Sequence, residues 1–289
     1  MKSIPTLLFT LLFIIPLNSC RQEEKKSDMN IIYLHHSTGG VIWQGARASL
    51  FTRAVRKVSP DIAKLFGGTG RLPYLFEKYN KENNRNYFIK EMAFPKTSPY
   101  GWRNYPYDYY NIWVKKAGNE PYMEEPTLEL LTKDYQVIIF KHCYPVSNIQ
   151  ADQDSADINS DYKSLANYKL QYNALRDKMH EFSGTKFILW TGAALVKSNV
   201  SEDAAMRAKE FFTWVTDEWD LPGDNIYLWD LYSLETEGGL YFRDEYASSP
   251  TDSHPGSEFA GRVVELLFNR IIDVIENDGS GTTLTGEKI

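Results

Sequence analysis

Short apolar runs alternate along the chain with longer stretches in which apolar residues recur every three or four positions. The apolar runs are residues 30–35 (NIIYLH), 86–92 (NYFIKEM), 135–140 (YQVIIF), 186–190 (KFILW) and 225–229 (NIYLW). Continuous β-prone runs of this length suit strands covered on both faces, as in a parallel sheet. Between them, residues 160–182 carry Leu165, Tyr168, Tyr172, Leu175 and Met179 at helical spacing. Ser201 reads as an N-cap, with Glu202 and Asp203 in the positive first turn and Met206, Phe212 and Val215 after them. A final helix carries Phe259, Val263, Leu267, Ile271 and Ile275 as one stripe at i, i+4. This alternation predicts an α/β domain over 30–276, a three-layer α/β/α sandwich with a five-stranded, mostly parallel sheet.

The ends of the chain change the picture. Lys2, the apolar run at residues 4–17 and the small residue Ser19 have the order of a signal peptide. The apolar run falls short of the roughly 20 residues needed to span a bilayer. Leu17-Asn18-Ser19-Cys20 resembles the lipobox of bacterial lipoproteins, which implies removal of residues 1–19 and lipid attachment at Cys20. The expected location is therefore the bacterial cell envelope, with the domain held to a membrane through that lipid. Residues 20–29 are polar and read as a tether, and 277–289 as a flexible, frayed tail.

Of the two cysteines, Cys20 and Cys143, a lipidated Cys20 leaves Cys143 unpaired, so no disulfide framework is expected. The chain has 32 Lys and Arg against 38 Asp and Glu. That acidic balance, without a basic block, argues against a nucleic-acid partner.

Ligands of open α/β sheets bind at the carboxyl ends of the strands, and three groups fall there. The first strand is followed by His35-His36-Ser37-Thr38-Gly39-Gly40. A serine on such a turn is exposed, and the glycines let a substrate approach backbone N–H groups. The third strand leads to Lys141-His142-Cys143 and on to Asn148; the fifth precedes Thr251-Asp252-Ser253-His254-Pro255. A Ser, an amide donor and an Asp-x-His at one sheet edge match the needs of ester cleavage. Histidine takes the serine proton, the carboxylate orients the imidazole, and the donors hold the oxyanion.

In their order these residues resemble the SGNH (GDSL-like) hydrolases across roughly 30–276. The resemblance implies a flavodoxin-like sheet and activity on ester bonds, often acyl groups on lipids or acetyl groups on glycans. It implies Ser37 as nucleophile, His254 as base, and Asn148 and Gly101 as oxyanion donors, with Asp252 as the orienting carboxylate. The departures are specific. His35-His36 stands where the family has Gly-Asp, Val146-Ser147-Asn148-Ile149 replaces Gly-x-Asn-Asp, and Thr251 occupies the place of the family's aspartate. No metal and no organic cofactor is expected, since adjacent histidines at a strand end point to opposite faces. The aromatic segment 100–113 (YGWRNYPYDYYNIW) reads either as a loop packed by its own rings or as a wall for stacking sugars. The second option leads to an alternative function, a lipid-anchored glycan-binding protein without chemistry.

Overall fold

In a computed structural model of the chain, residues 27–45, 70–96 and 101–289 are described. The expected signal peptide and Cys20 lie outside them. Five strands form one all-parallel sheet: β1 (Met29–His35), β2 (Tyr87–Ala93), β3 (Val137–Phe140), β4 (Lys186–Trp190) and β5 (Ile226–Trp229). Their order is β2-β1-β3-β4-β5, the flavodoxin-like arrangement. The strand order reverses between β1 and β3, so the crevice beyond their carboxyl ends is the switch point where ligands bind.

Helices cover both faces. On one side α1 (Ser37–Gln44), α2 (Arg71–Asn83) and α8 (Ser257–Asn277) pack together. Tyr33 of β1 points to that side, stacking on Trp43 of α1 with ring centroids 5.4 Å apart. Leu34 pairs in register with Phe140 of β3, so Phe140 points the other way. It meets α3 (Pro106–Tyr109) and the π-helical turn Tyr110–Lys115 through Tyr109 and Trp113. A short α4 (Leu128–Asp134) leads into β3.

The expected strands and the three expected helices are present, with shifted ends. The helix expected over 160–182 is α5 (Leu165–His180), because the Ser164 side chain caps it by accepting from the Asn167 N–H. Residues before Ser164 turn aside, and the Gln150 N–H donates to the Lys163 carbonyl. In α6 (Glu202–Trp214), Ser201 is the N-cap, but Met206 is exposed; Ala204, Ala208, Phe211 and Phe212 form the buried face. The α8 stripe is buried from Phe259 to Ile271, and Ile275 packs half-buried against the core. After β5 come α7 (Leu231–Thr236) and an antiparallel pair absent from the expectation, β6 (Ala247–Ser249) and β7 (Asp252–Pro255).

Two other expectations are corrected. Ser27 and Met29 belong to the domain rather than to a tether: Met29 pairs with Tyr87, and the Ser27 hydroxyl donates to the Met29 and Asn86 carbonyls. Residues 279–289 are no frayed tail. The Asp230 N–H donates to the Leu284 carbonyl at 2.9 Å, Trp229 Nε1 to the Thr285 carbonyl at 3.0 Å, and Arg270 Nη1 to the Gly279 carbonyl at 2.8 Å. Buried donors on β5 and α8 need these acceptors, and that need outweighs the polar composition of the segment. The described rings of the aromatic segment follow the first of its two expected readings, packing inward. Trp102, Tyr105, Tyr109, Tyr110 and Trp113 are buried and Tyr107 is half-buried, so these rings pack into the domain.

Deleting residues 279–289 should lower stability by about 1–3 kcal/mol for each buried donor left without an acceptor. Chemical denaturation of the shortened chain reads this directly; an unchanged midpoint would show that the segment contributes nothing.

Candidate functional site

The junction between β1 and α1 is built by close approach. A Cβ on Gly39 would lie 2.4 Å from the His35 Cβ and 3.1 Å from the Lys141 Cδ, so only glycine lets the first helical turn fold back on the strand end. The Tyr33 hydroxyl fastens that turn by donating to the Gly39 carbonyl at 3.0 Å. Burial holds the Tyr33 phenol well above its ordinary pKa, so it remains a donor. Ser37 is thereby fixed as the first residue of α1, where backbone N–H groups lack intrahelical acceptors and the helix end is positive.

Across a cavity of about 710 Å³ stands β7. Ser37, Gly40, Ser248, Asp252 and His254 all line this cavity. Strand geometry puts residues i and i+2 on one face, which is why Asp252 reaches His254 although the family's aspartate position is Thr251. Asp252 Oδ1 accepts from the His254 backbone N–H at 3.1 Å and lies 2.6 Å from ring Nδ1. The Asp252 carboxyl is held down at about 2 by hydrogen bonds, first from the Ser248 hydroxyl at 2.7 Å, then from the His254 ring and backbone. An ionised carboxylate only accepts, so Nδ1 carries a proton, and the neutral ring presents its lone pair at Nε2. The Tyr144 ring meets His254 edge-on, centroids 5.5 Å apart.

Ser37 and His254 share the cavity but no hydrogen bond. The Ser37 hydroxyl is bonded instead to Cys143 Sγ, 3.6 Å away. The two proposed oxyanion donors are not brought in. Asn148 does not line the cavity, and its side-chain oxygen accepts from Gln150 Nε2 at 3.0 Å. Gly101 is exposed at a φ of 75°, with open space around it. The local hydrogen bonds around Asn148 explain its placement. The loop after β3 winds into a 3-10 turn, Tyr144–Ser147, tied down by the Ser147 hydroxyl donating to the Ala193 carbonyl at 2.6 Å.

The histidines diverge, as strand alternation requires. His35 Nε2 lies 2.9 Å from Glu91, His36 Nε2 contacts the Pro95 carbonyl, and His142 is buried between Tyr109 and Tyr172. Burial pushes His142 down to about 3 and holds His36 below its ordinary value, so both are neutral near pH 7. No group of three or more His, Cys, Asp or Glu is placed to hold a metal ion among the described residues.

Lys141, Cys143 and Ser248 join the site without a role assigned to them by the sequence. Lys141 and Cys143 follow the clearest buried strand, which was a signal; their place beside Ser37 depends on β3 being the neighbour of β1. A groove of about 560 Å³ along α6, lined by residues including Lys169, Glu210 and Trp214, has no histidine among its described residues. Neither a family model, nor a curated protein, nor a solved structure matches this chain.

Above pH 4 the Asp252 carboxylate is ionised in folded and unfolded chains alike. Because its folded value is depressed, the stability it contributes is complete above the ordinary value and is lost as pH falls through about 2. Ser248→Ala removes the largest of its hydrogen bonds. Carboxyl ¹³C titration of the variant should show the Asp252 midpoint move upward towards 3.8; a midpoint that stays put would assign the depression to His254 alone.

Proposed function

We propose that the chain is a serine ester hydrolase of SGNH-like type, acting through an acyl-Ser37 intermediate and held in the bacterial cell envelope by a lipid on Cys20. The observation that carries the reading is the shared cavity: a serine at the head of α1 faces an Asp252-oriented imidazole at the carboxyl edge of the sheet. In the reaction the Ser37 hydroxyl turns to His254 and gives its proton to Nε2 as Oγ attacks the ester carbonyl. Asp252 stabilises the imidazolium that forms. The Ser37 backbone N–H, at the positive end of α1, supports the oxyanion in place of Asn148 and Gly101. His254 then protonates the leaving alcohol, and water, deprotonated by the same ring, releases the acid. No step calls for a metal or an organic cofactor.

The substrate class is an ester of a small molecule or a glycan. The glycan-binding alternative draws on the rings of residues 100–113, and the burial of Trp102, Tyr105, Tyr109, Tyr110 and Trp113 favours the esterase reading over it.

The test uses the protein from residue 21 onward and short-chain p-nitrophenyl esters. Ser37→Ala should lower p-nitrophenol release several hundred-fold or more, equivalent to about 3.5 kcal/mol or above. Equal rates in parent and variant would remove Ser37 as nucleophile. Asp252→Asn should cost on the order of 10²- to 10⁴-fold in kcat, because the amide can hold the ring in the wrong tautomer. A kcat within twofold of the parent would reduce Asp252 to a turn residue.

A further inference from the structure

Leu34 and Phe140 are register partners on adjacent parallel strands, and Ser37 and Cys143 each follow three residues later. The switch point therefore sets the Ser37 hydroxyl beside the Cys143 thiol, at 3.6 Å. Among the described residues that sulfur is the hydroxyl's hydrogen-bond partner, and Cys143 is itself buried and unpaired. The same sulfur accepts from Lys141 Nζ at 3.5 Å. Lys141 is only 1% exposed, and no carboxylate among the described residues lies within salt-bridge distance of it. Burying a lysine head group is costly, and the buried Glu235 carboxyl is the acid that this side chain influences, so this lysine is a poor choice for filling space. Its aliphatic stem runs beneath the first turn of α1, against Gly39. One side chain thus supports the turn that carries Ser37 and fixes the sulfur that touches its hydroxyl.

We propose that Cys143, held by Lys141, is the positioning residue for Ser37: it sets the serine rotamer in the free protein and yields the hydroxyl to His254 when substrate enters. The inference rests on Ser37 being the nucleophile. Sulfur suits the task, since it is a weak donor and acceptor. It biases the hydroxyl towards one rotamer without competing strongly with imidazole nitrogen. Without it, Ser37 would populate other staggered rotamers, and part of the orientational advantage of a preset nucleophile would be lost.

The experiment uses the full-length chain in detergent, comparing the parent with Cys143→Ala and Cys143→Ser. Two quantities are read: the rate of Ser37 labelling by a fluorophosphonate, followed by mass spectrometry, and kcat and KM for a p-nitrophenyl ester. Cys143→Ala should lower kcat and the labelling rate roughly tenfold or more with KM little changed. Cys143→Ser, which keeps a hydrogen-bonding atom, should recover most of both rates. If Cys143→Ala does not fold, Cys143→Val replaces it, filling the space without a hydrogen-bonding atom. Labelling of the parent at Ser37 with an unchanged rate in the Ala or Val variant overturns the positioning role and leaves the esterase standing. Absence of labelling at Ser37 in the parent overturns the esterase reading and this inference with it.

Discussion

Everything at the candidate site hangs on one close approach, the packing of Gly39 against the end of β1. A methyl group there would overlap the His35 Cβ, and the helix could not begin where it does. With glycine present, the Tyr33 hydroxyl ties the turn to the strand and Ser37 becomes the first helical residue. The same approach leaves a channel for the Lys141 stem. Strand, turn and buried lysine are therefore a single packing solution, and the serine is its product.

The two sides of the cavity are held by different physics. Cys143 and Lys141 are buried at the edge of the sheet, and the Cys143 sulfur is the weak partner of both the Ser37 hydroxyl and Lys141 Nζ. Asp252 and His254 sit on the exposed β6–β7 pair, where a carboxylate can stay ionised in contact with water and accept several hydrogen bonds. One side packs the Ser37 hydroxyl against a buried thiol, and the other keeps the Asp252 carboxyl ionised. Burying Asp252 would have raised its pKa, as burial does for Glu235, which is pushed up to about 8 despite a hydrogen bond from the Ala194 N–H.

Several elements were readable because their signal is local. The runs at β3, β4 and β5 are too apolar to lie anywhere but in a sheet covered on both faces, and the α8 stripe has one period throughout its length. Ser201 and its acidic neighbours mark a helix start by capping chemistry alone. The serine and the Asp-x-His were legible in the same way, as short motifs beside strong elements. Asn148 and Gly101 were not, because an oxyanion donor is defined by where its N–H points. For Asn148 the placement follows from the Ser147–Ala193 and Asn148–Gln150 hydrogen bonds. The fate of 279–289 was equally hidden: its acceptors are backbone carbonyls, which any sequence carries, and the demand for them comes from Trp229, Asp230 and Arg270.

By itself the sequence determined the fold class and the residue types available at the strand ends, since hydrophobic periodicity and capping act within a few residues of chain. Tertiary structure alone decided which of those residues meet. The adjacency of β1 and β3 put Cys143 beside Ser37. The unforeseen β7 gave Asp252 and His254 a common face, and the core on the Phe140 side of the sheet absorbed Tyr109 and Trp113. Each of these is a contact between segments far apart in the chain, fixed by how whole layers pack, and no local pattern encodes it.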